Sequence, residues 1–264
     1  RGLDVANMSS ITALGTSSAP ILFTSAAAAP AQGDWYGIDV TSGATVVMDW
    51  ADIQYAHTGV QFYTGSSGSI SNADIGYALY DGVEIQITDA SVTNTVIHDS
   101  GRYGLYARYS PPVGGDDPAR FAGNTITGGT GSFAASVAFN RLNLLDSSSS
   151  IAGNAVDVVE VYPGDITEHD VAVRALGASY EAPYLGNSVW QQYNVYGATE
   201  PTLTIEAGVE IDFLNYLKVG YTAPGHLVVE PGATVALQNR GLDVANMSSI
   251  TALGTSSAPI LFTS

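Results

Sequence analysis

The sequence contains no cysteine, and only 12% of its 264 residues are charged, about half the usual share of roughly 25%. Without cysteine there can be neither a disulfide scaffold nor a zinc–thiolate site. Lysine occurs once, at Lys218, and the 8 Lys and Arg residues are outnumbered by 25 Asp and Glu residues, which gives a net charge of −17. So few cations exclude a surface for nucleic-acid phosphates.

Long apolar runs are also missing. No segment reaches the roughly 18 apolar residues that a membrane-spanning helix needs, so we expect no membrane span. The hydrophobic share is nevertheless an ordinary 45%, and low charge with normal apolar content is not typical of a disordered chain. The sequence therefore predicts one large globular domain, or a piece of something longer, with a surface rich in Ser, Thr, Gly, Asn and Asp.

The two ends of the sequence are identical. Residues 1–25 and 240–264 agree letter for letter, at an offset of 239 residues. Divergent structural repeats keep a pattern rather than identical letters, so the identity indicates a recent tandem duplication, an engineered overlap or a window cut from a longer periodic chain. The start at Arg1 and the apolar run before Ser264 favour the window. We expect slightly more than one period of a tandem array.

A shorter repeat lies inside this period. The isoleucines Ile53, Ile75 and Ile97 are 22 residues apart, as are Asn72 and Asn94. Each isoleucine is followed by a Gly-apolar pair, and these pairs are Gly59-Val60, Gly82-Val83 and Gly104-Leu105. An insertion at residues 110–118 interrupts the register. Near the C-terminus, a Leu203 segment recurs at Leu227 with a spacing of 24.

This repeat predicts the fold class. Apolar and polar residues alternate within each unit, Gly, Asn and Ser clusters supply turns, and no convincing helical stripe occurs. We therefore expect an all-β fold, a right-handed parallel β-helix (β-solenoid) with about ten coils per 239-residue period. Equivalent residues would stack about 4.8 Å apart, with the isoleucines in the core and the asparagines exchanging amide hydrogen bonds at a turn. A β-sandwich or a propeller is the competing fold.

Several motifs resemble one protein family. Residues 19–25 and 33–38 resemble the "PI-x-FTS … G-x-W-x-GI" signature of bacterial right-handed parallel β-helix proteins. Residues 203–209 are similar to the "LTIEPGV" motif of that family, and residues 182–185 to its "SPY" segment, in permuted order. The family includes surface fibres and adhesins as well as polysaccharide-degrading enzymes. The predicted organisation is a β-helix body in 1–162, a module junction or cap in 163–200, and the opening coils of the next module in 201–264.

Four aspartates are candidate calcium ligands. Asp52 and Asp74 each precede a core isoleucine, so they should point outward in one column about 5 Å apart. Such a pair could bind Ca²⁺, share a proton or act as a retaining glycosidase pair, or it could be two solvated carboxylates. Asp116 and Asp117 lie in the insertion, where an Asp-Asp loop also suits Ca²⁺, unless it is a solvated turn.

Three tyrosines near the insertion, Tyr103, Tyr106 and Tyr109, could form a sugar-stacking surface, and edge packing is the alternative. His98 and Asp99 are adjacent in sequence and should lie on opposite faces of a strand, so they predict no dyad. No acid/base constellation can be assembled, and we expect no catalytic residues and no cofactor other than Ca²⁺.

The function that these observations favour is structural. We expect a repeat unit of an extracellular filament or giant surface adhesin, whose identical units join end to end so that residues 240–264 occupy the environment of residues 1–25 of the next unit. The alternatives are a polysaccharide lyase or hydrolase, and a carbohydrate-binding β-helix module that contacts a surface polysaccharide.

Overall fold

The strands of the computed structural model pair in parallel throughout its sheets. The structure describes residues 1–109, 116–183, 192–238 and 241–264. Strands that are one coil apart in sequence are hydrogen-bonded neighbours, from the first pairing of Leu3 with Ile38 to the last, of Val235 with Phe262. This arrangement is a parallel β-helix and confirms the predicted fold class. It excludes a β-sandwich, whose strands are antiparallel.

One sheet of 11 strands runs through all the coils, and we call it the long sheet. Its strands are β1 (Leu3–Val5), β4 (Ile38–Val40), β7 (Val60–Phe62), β10 (Asp81–Ile85), β13 (Tyr103–Ala107), β15 (Ala135–Ala138), β17 (Val158–Tyr162), β20 (Ser179–Ala182), β23 (Glu210–Phe213), β26 (Thr234–Leu237) and β29 (Leu261–Thr263).

Two further sheets complete the coils of the first part of the chain. The second sheet contains β2 (Ser10–Leu14), β5 (Thr45–Asp49), β8 (Ser67–Ser71) and β11 (Ser91–Thr93). The third sheet contains β3 (Ile21–Phe23), β6 (Ala51–Gln54), β9 (Asp74–Gly76), β12 (Val96–His98), β14 (Thr125–Thr127) and β16 (Ser150–Ile151).

Two other sheets complete the later coils. The fourth sheet contains β18 (Gly164–Ile166), β21 (Tyr193–Val195), β24 (Leu217–Val219) and β27 (Leu242–Val244). The fifth contains β19 (Val171–Val173), β22 (Thr202–Ile205), β25 (His226–Val229) and β28 (Ser249–Ala252). Between the early and the late sheets, two 3₁₀ helices (Pro118–Phe121 and Phe139–Leu144) pack on each other and bridge from β11 to β18 and β19.

The third sheet is bracketed by two columns of left-handed residues, which set the corners of the coil. Each strand is preceded by one such residue and followed by another five positions later, and the pairs are Trp50 and Tyr55, Asn72 and Tyr77, and Asn94 and Asp99, all with φ between 50° and 62°. The left-handed region is uncommon for residues other than glycine, and Asn and Asp tolerate it best. The amide of Asn72 donates to the Asp49 carboxylate at 2.8 Å rather than passing along an asparagine ladder.

The core is a set of apolar ladders. Ile53 pairs with Ile75 and Ile75 with Ile97, and all three side chains are fully buried. The ladder continues beyond the predicted members, to Ile126 and Ile151. Each buried aliphatic side chain of this size contributes about 1.5–3 kcal/mol, so the ladder holds successive coils in one register.

The two identical segments do not occupy equivalent places, so that expectation is wrong for this chain. Leu3 pairs with Ile38 in the long sheet, whereas Leu242 pairs with Leu217 in the fourth sheet. It is β29, in the copy of the β3 segment, that joins the long sheet. The cause is unequal coil length: 22-residue coils alternate with longer ones, so 239 residues do not complete a whole number of turns. No helix in the described ranges is long and apolar enough to cross a membrane.

Candidate functional site

A continuous column of polar side chains runs along the outer face of the long sheet. Within each strand the flanking residues point inward, as Val83 and Ile85 do on either side of Glu84. The pairing register places the column members on successive strands, about 4.8 Å apart. In order along the solenoid they are Asp4, Asp39, Gln61, Glu84, Tyr106, Ser136, Glu160 and Glu181.

A second column lies beside the first, in the turn that leads into each strand of the long sheet. His57, Tyr80 and Arg102 stack in successive coils, because the backbone N–H of Tyr80 donates to the His57 carbonyl and that of Arg102 to the Tyr80 carbonyl, each at 2.8 Å. Each of these residues stands two positions before a glycine that begins or precedes a strand.

Rings and guanidinium groups from the two columns form one continuous ladder, which we call the aromatic–arginine ladder. It starts with the Tyr36 and His57 rings, whose centroids are 5.8 Å apart, and continues to Tyr80, 4.4 Å from His57. The Arg102 guanidinium then lies 5.6 Å from the Tyr80 ring and 4.9 Å from the Tyr106 ring. Cation–π contacts of this kind orient the rings without burying their outer faces.

The ladder ends at Arg108. Its guanidinium lies 5.3 Å from the Tyr106 ring and 4.7 Å from the Tyr162 ring. It also donates to the Tyr103 hydroxyl at 2.7 Å and to the Glu160 carboxylate, and Tyr103 donates to Glu160 at 2.9 Å. Burial, followed by the hydrogen bond to Glu160, raises the pKa of Tyr103 to about 12, so this tyrosine keeps its proton and is a fixed donor.

The predicted tyrosine surface therefore exists as a cluster. Tyr103 and Tyr106 have ring centroids 5.8 Å apart, and Tyr106 and Tyr109 6.3 Å apart. Their roles differ: the hydroxyl of Tyr103 is occupied by Arg108 and Glu160, whereas Tyr109 is 38% exposed. Tyr103 positions the cluster, and Tyr106 and Tyr109 offer ring surface.

A cavity of ≈ 470 Å³ opens on this face, and we call it the groove. It is lined by Tyr36, Asp39, His57, Thr58, Gln61, Tyr63, Tyr80, Glu84 and Arg102. Arg102 is held by the buried Asp81, which accepts from its Nε at 2.8 Å and from its Nη2. Burial, followed by the charges of Asp4 and Glu84, raises the pKa of Asp39. The groove thus combines ring faces with carboxylates in a negative field.

The first calcium pair lies on the outer face of the third sheet. Asp52 and Asp74 are register partners, and Val96 follows them. Asp74 is already engaged: its Oδ1 accepts from His98 Nε2 at 2.9 Å and from Gln54 Nε2 at 2.5 Å. The hydrogen bond from His98 holds the pKa of Asp74 below its usual range, whereas burial and the charge of Asp74 raise that of Asp52.

His98 and Asp99 do pair, so the expectation that they lie apart is wrong. His98 Nδ1 lies 2.7 Å from Asp99 Oδ2, while its other ring nitrogen contacts Asp74. The strand ends at His98, and Asp99 takes a left-handed conformation with φ of 51°, which turns its carboxylate back onto the ring. The Asp74 hydrogen bond, with that of Asp99, raises the pKa of His98 to about 9. The Asp74–His98–Asp99 cluster clamps two coils.

The second calcium pair is separated by its partners. Asp116 forms a buried, two-fold ion pair with Arg141, with both N–O distances 2.8 Å. Asp117 instead caps the first 3₁₀ helix, since its Oδ1 accepts from the Ala119 N–H at 3.0 Å. Asp116 therefore has no free oxygen face for an ion. Across the described ranges, no group of three or more His, Asp or Glu side chains could hold a metal ion.

Sequence reasoning missed most of the aromatic–arginine ladder. His57, Tyr80 and Arg102 are 23 and 22 residues apart, and each precedes one of the Gly-apolar pairs by two residues. The repeat alignment that found the glycines could therefore have found this column. No signal in the sequence pointed to the pairing of Arg108 with Glu160, which lie 52 positions apart.

Comparisons with known proteins name no family for the chain. No protein-family model and no curated protein matches it. Among solved structures, the crystal structure of an alginate lyase from Paenibacillus sp. str. FPU-7 is similar, at 15% sequence identity and a TM-score of 0.34, over 100% of this chain and 91% of that chain. A likeness at that score carries no inference about activity. The resemblance to bacterial parallel β-helix proteins extends to the parallel all-β fold and no further.

Proposed function

We propose that the protein binds a polysaccharide along the outer face of the long sheet. The observation that carries this proposal is the aromatic–arginine ladder from Tyr36 to Tyr162. Ring faces such as those of Tyr36 and Tyr80, 62% and 41% exposed, can stack on the apolar faces of sugar rings. The adjoining column supplies a polar group on each strand to meet sugar hydroxyls.

The geometry matches an extended polymer better than a small ligand. Column members recur at about 4.8 Å, a spacing of the same order as one hexose unit, over at least eight strands. A single-stranded nucleic acid could also use rings and arginines. The net charge of −17, however, opposes a phosphate polymer. A glycan meets both the rings and the carboxylates without that penalty.

Affinity electrophoresis tests this proposal. Native gels would contain hydroxyethyl cellulose, glycol chitosan or polygalacturonate, which are neutral, cationic and anionic. We expect at least one polymer to retard the protein, and Tyr80→Ala and Tyr106→Ala to weaken binding at least about tenfold, as for a central stacked ring. The matched control is Tyr221→Ala, a 54% exposed tyrosine in the turn after β24. No retardation by any polymer, or equal loss in the control, would contradict the proposal.

A second function is favoured by a different observation. The three outer strands at one end of the described solenoid, β1 to β3, and the three at the other, β27 to β29, come from the identical segments. Unpaired strand edges recruit further strands, so end-to-end assembly into an extracellular filament is also proposed. Light scattering and electron microscopy of the purified chain would reveal filaments, and a monodisperse monomer at high concentration would argue against them.

A further inference from the structure

The groove carries more negative charge than its own cations neutralise. Asp39 accepts no hydrogen bond from any described residue, and neither Asp39 nor Glu84 forms an ion pair there. Asp4 adds a third carboxylate, directly next to Asp39 in the column. The one arginine that lines the groove, Arg102, is satisfied by the buried Asp81.

We propose that the groove binds an amino sugar of the polysaccharide, with its ammonium group beside Asp39 and its ring against Tyr36 and Tyr80. This inference rests on the proposed function, and it names the substrate class. An ammonium group would supply the cation that the three carboxylates lack. Like charges at this range destabilise one another, and the raised pKa of Asp39 has the same cause after burial.

The walls of the groove favour a cationic sugar over a bare ion. The His57 ring lies between Tyr36 and Tyr80, with centroid distances of 5.8 Å and 4.4 Å, so aromatic surface flanks the carboxylates. A metal ion needs several oxygen ligands and gains nothing from rings, whereas a sugar ammonium gains both a carboxylate and a cation–π contact. A uronate would add a charge of the same sign as Asp39 and Glu84 and should be rejected.

Three oligosaccharides of equal length separate these cases. Calorimetry at pH 6 would compare hexamers of glucosamine, N-acetylglucosamine and galacturonic acid, which are cationic, neutral and anionic. We expect the glucosamine hexamer to bind at least tenfold more tightly than the neutral one, and the galacturonate hexamer to bind most weakly. Asp39→Asn should weaken glucosamine binding about tenfold and leave N-acetylglucosamine binding unchanged. The matched control is Asp243→Asn, which removes the same overall charge at an exposed position and should change neither.

Each outcome decides between the two proposals. If the neutral or anionic hexamer binds best, the amino-sugar inference is overturned while polysaccharide binding stands. If Asp243→Asn weakens glucosamine binding as much as Asp39→Asn, or if spermine binds as tightly as the hexamer, the attraction is general charge and the inference is overturned. If no hexamer binds and no polymer retards the protein, both proposals fall.

Discussion

The buried ion pair between Arg141 and Asp116 gives the sharpest stability prediction. The change Arg141→Met removes two hydrogen bonds of 2.8 Å to the Asp116 carboxylate. It also removes two more, of 3.0 Å and 3.2 Å, to the carbonyl oxygens of Ile85 and Gln86. The Arg141 side chain is 0% exposed and that of Asp116 is 2% exposed, so water cannot replace the lost donors.

The expected cost follows from that burial. Removing one partner of a buried pair costs about 3–5 kcal/mol, because the remaining charge is left uncompensated. We expect Arg141→Met to fall in the upper half of this range, since two buried carbonyls lose their donors as well. The double variant Arg141→Met/Asp116→Leu removes the stranded charge, so it should be more stable than the single variant by about 2 kcal/mol.

Urea unfolding, followed by circular dichroism, measures these differences. The control is Arg120→Met, because Arg120 pairs at 2.9 Å with Asp89, whose side chain is 74% exposed. Exposed pairs contribute at most about 1 kcal/mol. The reasoning is refuted if Arg141→Met costs no more than Arg120→Met, or if the double variant is less stable than the single one.

Two further predictions concern pH and backbone conformation. Because its contacts with Asp74 and Asp99 raise the pKa of His98 to about 9, His98 stabilises the fold fully below about pH 6.5, its unfolded pKa. That contribution, about 1–2 kcal/mol after allowance for partial exposure, should be lost as pH rises through 9. His98→Gln should abolish this slope in thermal melts, and an unchanged slope would contradict the clamp. Gly37→Ala places a Cβ 1.7 Å from a backbone carbonyl at φ of 99°, whereas Gly208→Ala, at φ of 75°, meets nothing within 4 Å. We expect Gly208→Ala to cost about 1 kcal/mol and Gly37→Ala several times more, and equal melting temperatures would disprove the close approach.

The sequence contained enough to predict the fold. A constant spacing of 22 between Ile53, Ile75 and Ile97 requires stacked coils, and the structure pairs these residues directly. The path of the later coils was not predictable in the same way. There the 3₁₀ helices interrupt the register, and the second identical segment enters different sheets from the first. Local sequence repeats do not encode how much chain each coil consumes.

The site was only partly predictable, because its contacts join residues that are distant in sequence. Tyr103 and Tyr106 could be selected as neighbours on one segment, but the partner of Tyr103, Glu160, lies 57 positions away. Asp116 was a reasonable calcium ligand in isolation. Its engagement by Arg141, 25 positions away, depends on how two helices pack, which no spacing rule indicates.

The most direct test of polysaccharide binding at the long sheet is to map which tyrosines a bound polymer covers. Nitration by tetranitromethane, read by mass spectrometry with and without saturating glycol chitosan, reports each ring separately. Tyr36, Tyr80 and Tyr221 are all well exposed in the free protein. We predict that the polymer slows nitration of Tyr36 and Tyr80 and leaves Tyr221 unchanged. Equal protection of all three rings, or protection of Tyr221 alone, would contradict binding at the aromatic–arginine ladder.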